Sequence, residues 1–354
     1  PRHHGDRAHP LPPRSGLGVR QGLAVALCLA SCGSSAASSD PPVDAMVVDL
    51  ARAFDGPLAD AADASAADAS PVVPFVREGR SWQLHQVDPI GGAPIFPTLA
   101  IGPAGPAVAF RKGTPDERYP VVSRWDGAAW SPPETIEREA DIFLGKRPAL
   151  VVDRDDGLHL IYYNEDATRL RYATRPAAAS TWTLSYPYDE PGADAGDNAV
   201  LRIDEQGRLH GTFLRYGVYH TIYGVQEDGR WRFAPLSRDG VPVKTYEATL
   251  AVADDGRAHV VYADDQERIY YAHGGLAGWT HEPVDLETPE IGHYLDGALD
   301  PAGQMHVIYL QWTRDHPSVW VARRAGSWQT EQVDTELGIA YAAALTVLDD
   351  GTEL

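Results

Sequence analysis

Tryptophans recur at Trp82, Trp130, Trp182, Trp231, Trp279 and Trp328, with spacings of 48, 52, 49, 48 and 49 residues. Turn glycines keep the same rhythm at Gly105, Gly157, Gly207, Gly256, Gly303 and Gly351, with spacings of 52, 50, 49, 47 and 48. Two independent markers on one period define a structural repeat. A unit of this length cannot bury its apolar faces alone and must pack on its neighbours.

Each unit reads as four short strands. Leu150-Val151-Val152 leads into an Asp155-Asp156-Gly157 turn, then His159-Leu160-Ile161-Tyr162-Tyr163, Leu170-Arg171-Tyr172-Ala173 and a strand around Trp182. The same order returns as Leu250-Ala251-Val252, Gly256, His259-Val260-Val261-Tyr262, Ile269-Tyr270-Tyr271-Ala272 and Trp279. Asp-Gly between apolar runs supplies the positive φ of a tight hairpin. Strands that are apolar on both faces need cover on both faces, which radially arranged four-stranded sheets provide. The expected fold is all-β, a β-propeller of antiparallel blades, with the recurring tryptophans in the wide outer gaps between blades.

The ends of this region bear on the blade count. Val76 to Asp88 parallels Ala322 to Asp334, so the chain opens with the last strands of a blade. Leu345 to Gly351 reads as a first strand and its turn. Combining strands from both termini removes open sheet edges. Six blades follow, with seven as the alternative; the last blade reads as truncated, and the sequence as a fragment at both ends. The run Val252 to Tyr262 resembles the Asp-x-Asp-Gly-x-x-His-Val-x-Tyr pattern of bacterial sialidase-like, BNR-type propellers. That resemblance implies the fold over residues 72–354. The Ser-x-Asp-x-Gly-x-Thr-Trp box of sialidases is absent, and no three-arginine cluster of the sialidase kind is assignable.

Residues 1–31 read as a secretory leader. Arg2, Arg7, Arg14 and Arg20 precede the apolar run Leu23–Ala30, which is too short to span a bilayer. Leu29-Ala30-Ser31-Cys32 resembles the lipobox of bacterial lipoproteins, which implies a diacylglycerol on Cys32 and an outer-membrane or cell-surface location. Residues 33–71 are an Ala, Asp, Ser and Pro tether with seven Asp against Arg52, too poor in apolar surface to fold. As a flexible chain it reaches roughly 35 Å. The formal charge of −20 argues against nucleic acid and against binding anionic lipid through protein charge. The lipid is then the only expected link to the membrane.

The histidines His159, His210, His259 and His306 occupy one repeated place and read as structural, since neighbouring sheets stand about 10 Å apart, too far to share a metal. Asp153 to Gly157 has the look of a calcium loop, but its fifth position is Gly157, so it reads as a capped turn. No metal or cofactor is expected. No nucleophile elbow, zinc motif or phosphate loop is present.

What varies is the start of each first strand. Phe96, Arg147, Asn198, Glu247, Tyr294 and Ala342 align at one ring position, preceded by Ile95, Lys146, Asp197, Tyr246, His293 and Tyr341. The nearby loops add Arg111, Asn164, Arg215, Tyr216, Asp264 and the segment Trp312 to His316. Tyr and Trp beside polar groups suit sugar or peptide surfaces. The expected ligand residues are Lys146, Arg147, Asn198, Glu247, His293, Tyr294, Trp312 and Tyr341.

The leading expectation is a lipid-anchored, exported, non-catalytic binder of a glycan or protein. An alternative is a polysaccharide lyase or glycosidase. In it His293 and Tyr294 act as base and acid, Lys146 or Arg147 neutralises a uronate, or Glu247 works beside Tyr246. A further alternative is a scaffold subunit of an envelope assembly.

Overall fold

A computed structural model describes residues 75–77, 80–82, 85–88, 95–113, 118–140, 142–285, 291–311, 318–334, 344–347 and 353. The leader, Cys32, the tether, Trp312 and Tyr341 lie outside the described residues, as does the side chain of His293.

Five four-stranded antiparallel sheets are present among the described residues, each with its strands paired in chain order. Sheet 1 comprises Ile95–Gly102, Gly105–Gly113, Arg118–Arg124 and Glu134–Thr135. Sheet 2 comprises Lys146–Val152, Leu158–Asn164, Arg169–Arg175 and Thr183–Ser185. Sheet 3 comprises Ala195–Ile203, Leu209–Arg215, His220–Glu227 and Arg230–Pro235. Sheet 4 comprises Thr245–Val252, Ala258–Asp264, Ile269–Gly275 and Gly278–Asp285. Sheet 5 comprises Ile291–Leu299, Met305–Gln311, Ser318–Ala325 and Ser327–Asp334. Phe75–Arg77 and Arg80–Trp82 form a separate hairpin.

The first strand of each sheet lies against the first strand of the next, from sheet 1 through sheet 5. Inner strands side by side and sheets face to face are what a radial arrangement requires. The core accordingly divides into clusters between neighbours. Ala107, Val122, Leu150, Leu158, Leu160 and Tyr162 join sheets 1 and 2. Leu201, Phe213 and Ile222 pack with Val151 and Ile161 between sheets 2 and 3. Two further clusters fill the next two gaps. The second strand Ala258–Asp264 is buried throughout, whereas the fourth strand Arg230–Pro235 alternates between exposed and half-buried. A central strand is covered on both faces; an outer strand is not.

Trp182, Trp231, Trp279 and Trp328 occupy the gaps between neighbouring sheets, as the sequence implied, whereas Trp130 packs within sheet 1 and the Trp82 side chain lies outside the described residues. Trp231, Trp279 and Trp328 meet a third-strand tyrosine of the preceding sheet edge to face, with ring centroids 5.7, 5.1 and 5.5 Å from Tyr172, Tyr223 and Tyr271. Each of those tyrosines also holds the repeated histidine of its own sheet, with Nδ1–Oη distances of 2.7 Å for His159 and His210 and 2.5 Å for His259. Asp153 and Asp204 take the other ring nitrogen of His159 and His210 at 3.0 Å. A carboxylate only accepts, so Nε2 carries the proton and Nδ1 accepts from the phenol. Asp153 also caps its turn, accepting the N–H groups of Asp155 and Gly157. Both features are therefore structural.

Described segments flanking the five sheets lie on the two end sheets. Val87 packs on the outer face of sheet 1. On sheet 5 the Leu345 N–H donates to Asp296 at 3.0 Å, and Glu353 accepts from Arg323 and contacts His306.

Candidate functional site

The aligned ring position coincides with a repeated backbone irregularity. In sheets 1, 2, 3 and 5 the first strand bulges between Ile95 and Thr98, Lys146 and Ala149, Asp197 and Val200, and His293 and Asp296. The bulged residue is Phe96, Arg147, Asn198 or Tyr294, with φ of 56, 47, 50 and 54°. In sheet 4 the bulge sits one residue earlier, between Thr245 and Glu247. A bulge turns the strand and re-aims its side chain. Here it points the opening residues of successive inner strands toward one another.

Glycine just before the bulge makes room for it. Gly196 has φ of 131°, and a Cβ there would stand 2.7 Å from Leu170 Cα. Gly145 has φ of 76°, and its Cβ would meet Pro120 at 2.8 Å. The backbone of one sheet's opening thus touches the loop or strand of an adjoining one.

The side chains converge across sheets. Arg147 of sheet 2 lies over the Phe96 ring of sheet 1, 5.7 Å from its centroid. The same guanidinium is 3.9 Å from Asp197 of sheet 3 and 3.9 Å from Glu247 of sheet 4. Glu247 accepts the N–H of Tyr294 in sheet 5 at 2.5 Å. Asn198 donates from Nδ2 to the Tyr246 carbonyl at 3.2 Å. Lys146 donates to Asp197 at 2.9 Å, and Tyr216 donates to the same carboxylate oxygen at 2.5 Å. The structure brings together Lys146, Arg147, Asn198, Tyr246, Glu247 and Tyr294. It places the strand position of His293 beside them and describes neither Trp312 nor Tyr341.

Asp197 is the electrostatic centre. Burial alone would raise its carboxyl, but Lys146, the Tyr216 hydroxyl and Arg147 outweigh this and hold it below the usual carboxylate range. Burial, reinforced by carboxylate neighbours, pushes the Tyr163 and Tyr216 phenols up, so both stay protonated donors. Tyr163 donates to Asp194 at 2.6 Å. Arg111 is almost fully buried at the end of its strand and pairs with Glu165 of sheet 2. Burial is the main influence lowering its basicity. Asp264 is buried and gripped by Arg268 of its own hairpin.

The expectation that Lys146 or Arg147 neutralises a substrate carboxylate meets a plain obstacle. Both cations already face carboxylates of this chain. Sequence reasoning did not single out Tyr163, Tyr219, Asp194 or Glu165. The available signal was the glycine repeated before the ring at Gly145, Gly196 and Gly292.

No family profile and no curated protein sequence matches this chain. Solved structures are similar to it. The NanB sialidase of Streptococcus pneumoniae is 14% identical at a TM-score of 0.53, with 73% of this chain and 64% of that chain covered. The intramolecular trans-sialidase of Ruminococcus gnavus is 11% identical at 0.52, covering 73% and 88%. The leech intramolecular trans-sialidase is 11% identical at 0.52, covering 74% and 64%. The chain therefore spans less than two thirds of the NanB and leech chains. At such identities the likeness shows the fold, a sialidase-like β-propeller, and nothing of its chemistry.

Proposed function

We propose that this chain is a non-catalytic binding module whose ligand, a glycan or a protein, sits on the ring of strand-opening residues. One observation carries the reading. Phe96, Arg147, Asn198 and Tyr294 all stand in the left-handed region, where glycine is at ease and a larger residue costs about 1 kcal/mol or more. The scaffold repeats; the side chains on it are aromatic, cationic and amide. Strain retained at equivalent places for different chemistries supports a surface that contacts something. On the same reading Cys32 carries the lipid and residues 33–71 hold the propeller away from the cell surface.

Binding of the full chain to glycan arrays and pull-down of envelope proteins test this. Arg147→Ala and Tyr294→Ala are expected to lose the ligand. Undiminished binding in both would place the ligand elsewhere.

The arrangement of Glu247 against the Tyr294 N–H favours a second reading, a polysaccharide-active enzyme working at that pair. Release of reducing or unsaturated sugars, abolished by Glu247→Gln or His293→Ala, is its test.

A further inference from the structure

Four tyrosines on the loop face form one continuous series. Tyr163 meets Tyr216 with centroids 6.5 Å apart, Tyr216 meets Tyr219 at 6.3 Å, and Tyr219 meets Tyr246 at 5.6 Å. The series crosses sheets 2, 3 and 4. It starts buried beneath Lys146, whose Nζ is 5.8 Å from the Tyr163 centroid, and ends in the open. Tyr219 and Tyr246 are 42% and 44% exposed, among the most exposed large apolar side chains described.

The outer two are held, not loose. Tyr219 has φ of 56°, and its carbonyl accepts the Thr245 N–H at 2.7 Å, tying the loop of sheet 3 to the opening of sheet 4. The same bond recurs where Ala195 N–H donates to Thr168, itself at φ 52°. The framework position is therefore general, and the tyrosine upon it is particular to sheet 3. Tyr246 is fixed from the other side by Asn198 on its carbonyl. Rigid aromatic rings with few torsions lose little entropy on contact.

Charge narrows the ligand. Within the ring Arg111 pairs with Glu165, and Lys146 and Arg147 face Asp197 and Glu247. Asp194 adds a further carboxylate, bonded to Tyr163. A ligand carboxylate entering here would compete with these partners for their cations. Lys244 is exposed, its backbone bridged to His220 beside Tyr219. The whole chain, at −20, also repels polyanions.

We infer that Tyr219 and Tyr246, whose ring planes stand 70° apart, present two separate stacking faces for an uncharged oligosaccharide, which runs outward from the Arg147–Asp197–Glu247 ring and turns between them. Aromatic faces cover the apolar faces of the sugar rings, and the paired ring charges serve its hydroxyls as donors and acceptors. This rests on the binding-module reading and specifies its ligand as neutral and several sugars long.

The test uses the full chain and immobilised cello-, manno- and chito-oligosaccharides from dimer to hexamer, beside oligogalacturonates and sialyllactose. A neutral series is expected to bind more tightly as it lengthens, and the carboxylated glycans are not. Tyr219→Ala and Tyr246→Ala are each expected to weaken the longest neutral oligomer about tenfold, with the dimer little changed. Tyr→Phe at either place retains binding. Unchanged melting temperatures check the folds of these exposed-site variants. Neutral binding indifferent to both alanine variants, or preference for a carboxylated glycan, overturns this inference while leaving the ring reading standing. Binding of no glycan, with capture of a protein lost in Arg147→Ala, overturns the inference and leaves a protein-binding ring. Absence of binding to both classes overturns inference and reading together.

Discussion

His259 differs from its counterparts in one partner. His159, His210 and His306 each have an aspartate six residues earlier, whereas the corresponding place before His259 is Ala253. The turns are otherwise alike: the Ala253 N–H donates to the Arg257 carbonyl as the Asp204 N–H does to Arg208. Burial, helped by His273 and Arg257, lowers the His259 imidazole to about 4. The unfolded chain takes up its proton near 6.5. Between these values the unfolded state binds a proton that the native state refuses. The stability that His259 confers is therefore intact above pH 6.5 and declines as pH falls toward 4, by roughly 3 kcal/mol in full. Urea unfolding at neutral and mildly acidic pH should show that decline. Ala253→Asp should flatten it and raise the imidazole's titration midpoint in NMR. An unchanged slope in the variant would contradict the assigned role of the aspartates. The histidines' structural part was readable from spacing alone, because adjacent sheets stand too far apart to share a ligand. Their tyrosine and aspartate partners were not, because register had first to be known.

Strand openings show where element-level reading stopped. Alignment of the repeats found the ring residues but not the bulge that aims them, since the left-handed residues are Phe, Arg, Asn and Tyr, not glycine. Asn198→Gly is expected to leave stability within about 0.5 kcal/mol, strain relief offsetting a lost hydrogen bond, while reducing ligand binding. Leu201→Gly, in the buried part of the same strand, should cost about 3 kcal/mol or more. Comparable losses in chemical denaturation would refute the strain argument. Gly196→Ala confronts both a φ of 131° and the Leu170 backbone. It should cost about 2 kcal/mol or more and move Asp197, so binding falls with stability. A neutral outcome would mean the opening is more pliant than the contact implies.

Across the molecule, the period of tryptophans translates into a wheel because each unit's outer strand packs on its predecessor. Trp279 stacks edgewise on Tyr223, and Trp182 and Trp328 donate to Glu134 and Glu282 of the preceding sheet at 2.8 and 3.2 Å. Trp279→Ala should lower unfolding free energy by about 2–3 kcal/mol, read by thermal or urea denaturation; a change within error would remove the inter-sheet contact from the account. The repeat rhythm made this architecture legible from sequence. Side-chain pairings across the hub were not legible, because Arg147 and Glu247 are two sheets apart and only the curvature of the whole brings them to 3.9 Å. The central claim is that these distant openings compose one ligand surface. A crystal structure of the full chain with its tightest-binding oligosaccharide tests it most directly. The sugar is expected on the loop face, touching Arg147, Asn198 and Tyr294 and extending over Tyr219 and Tyr246. A ligand seated on the outer strands, or inner strands that do not surround a common axis, would contradict it.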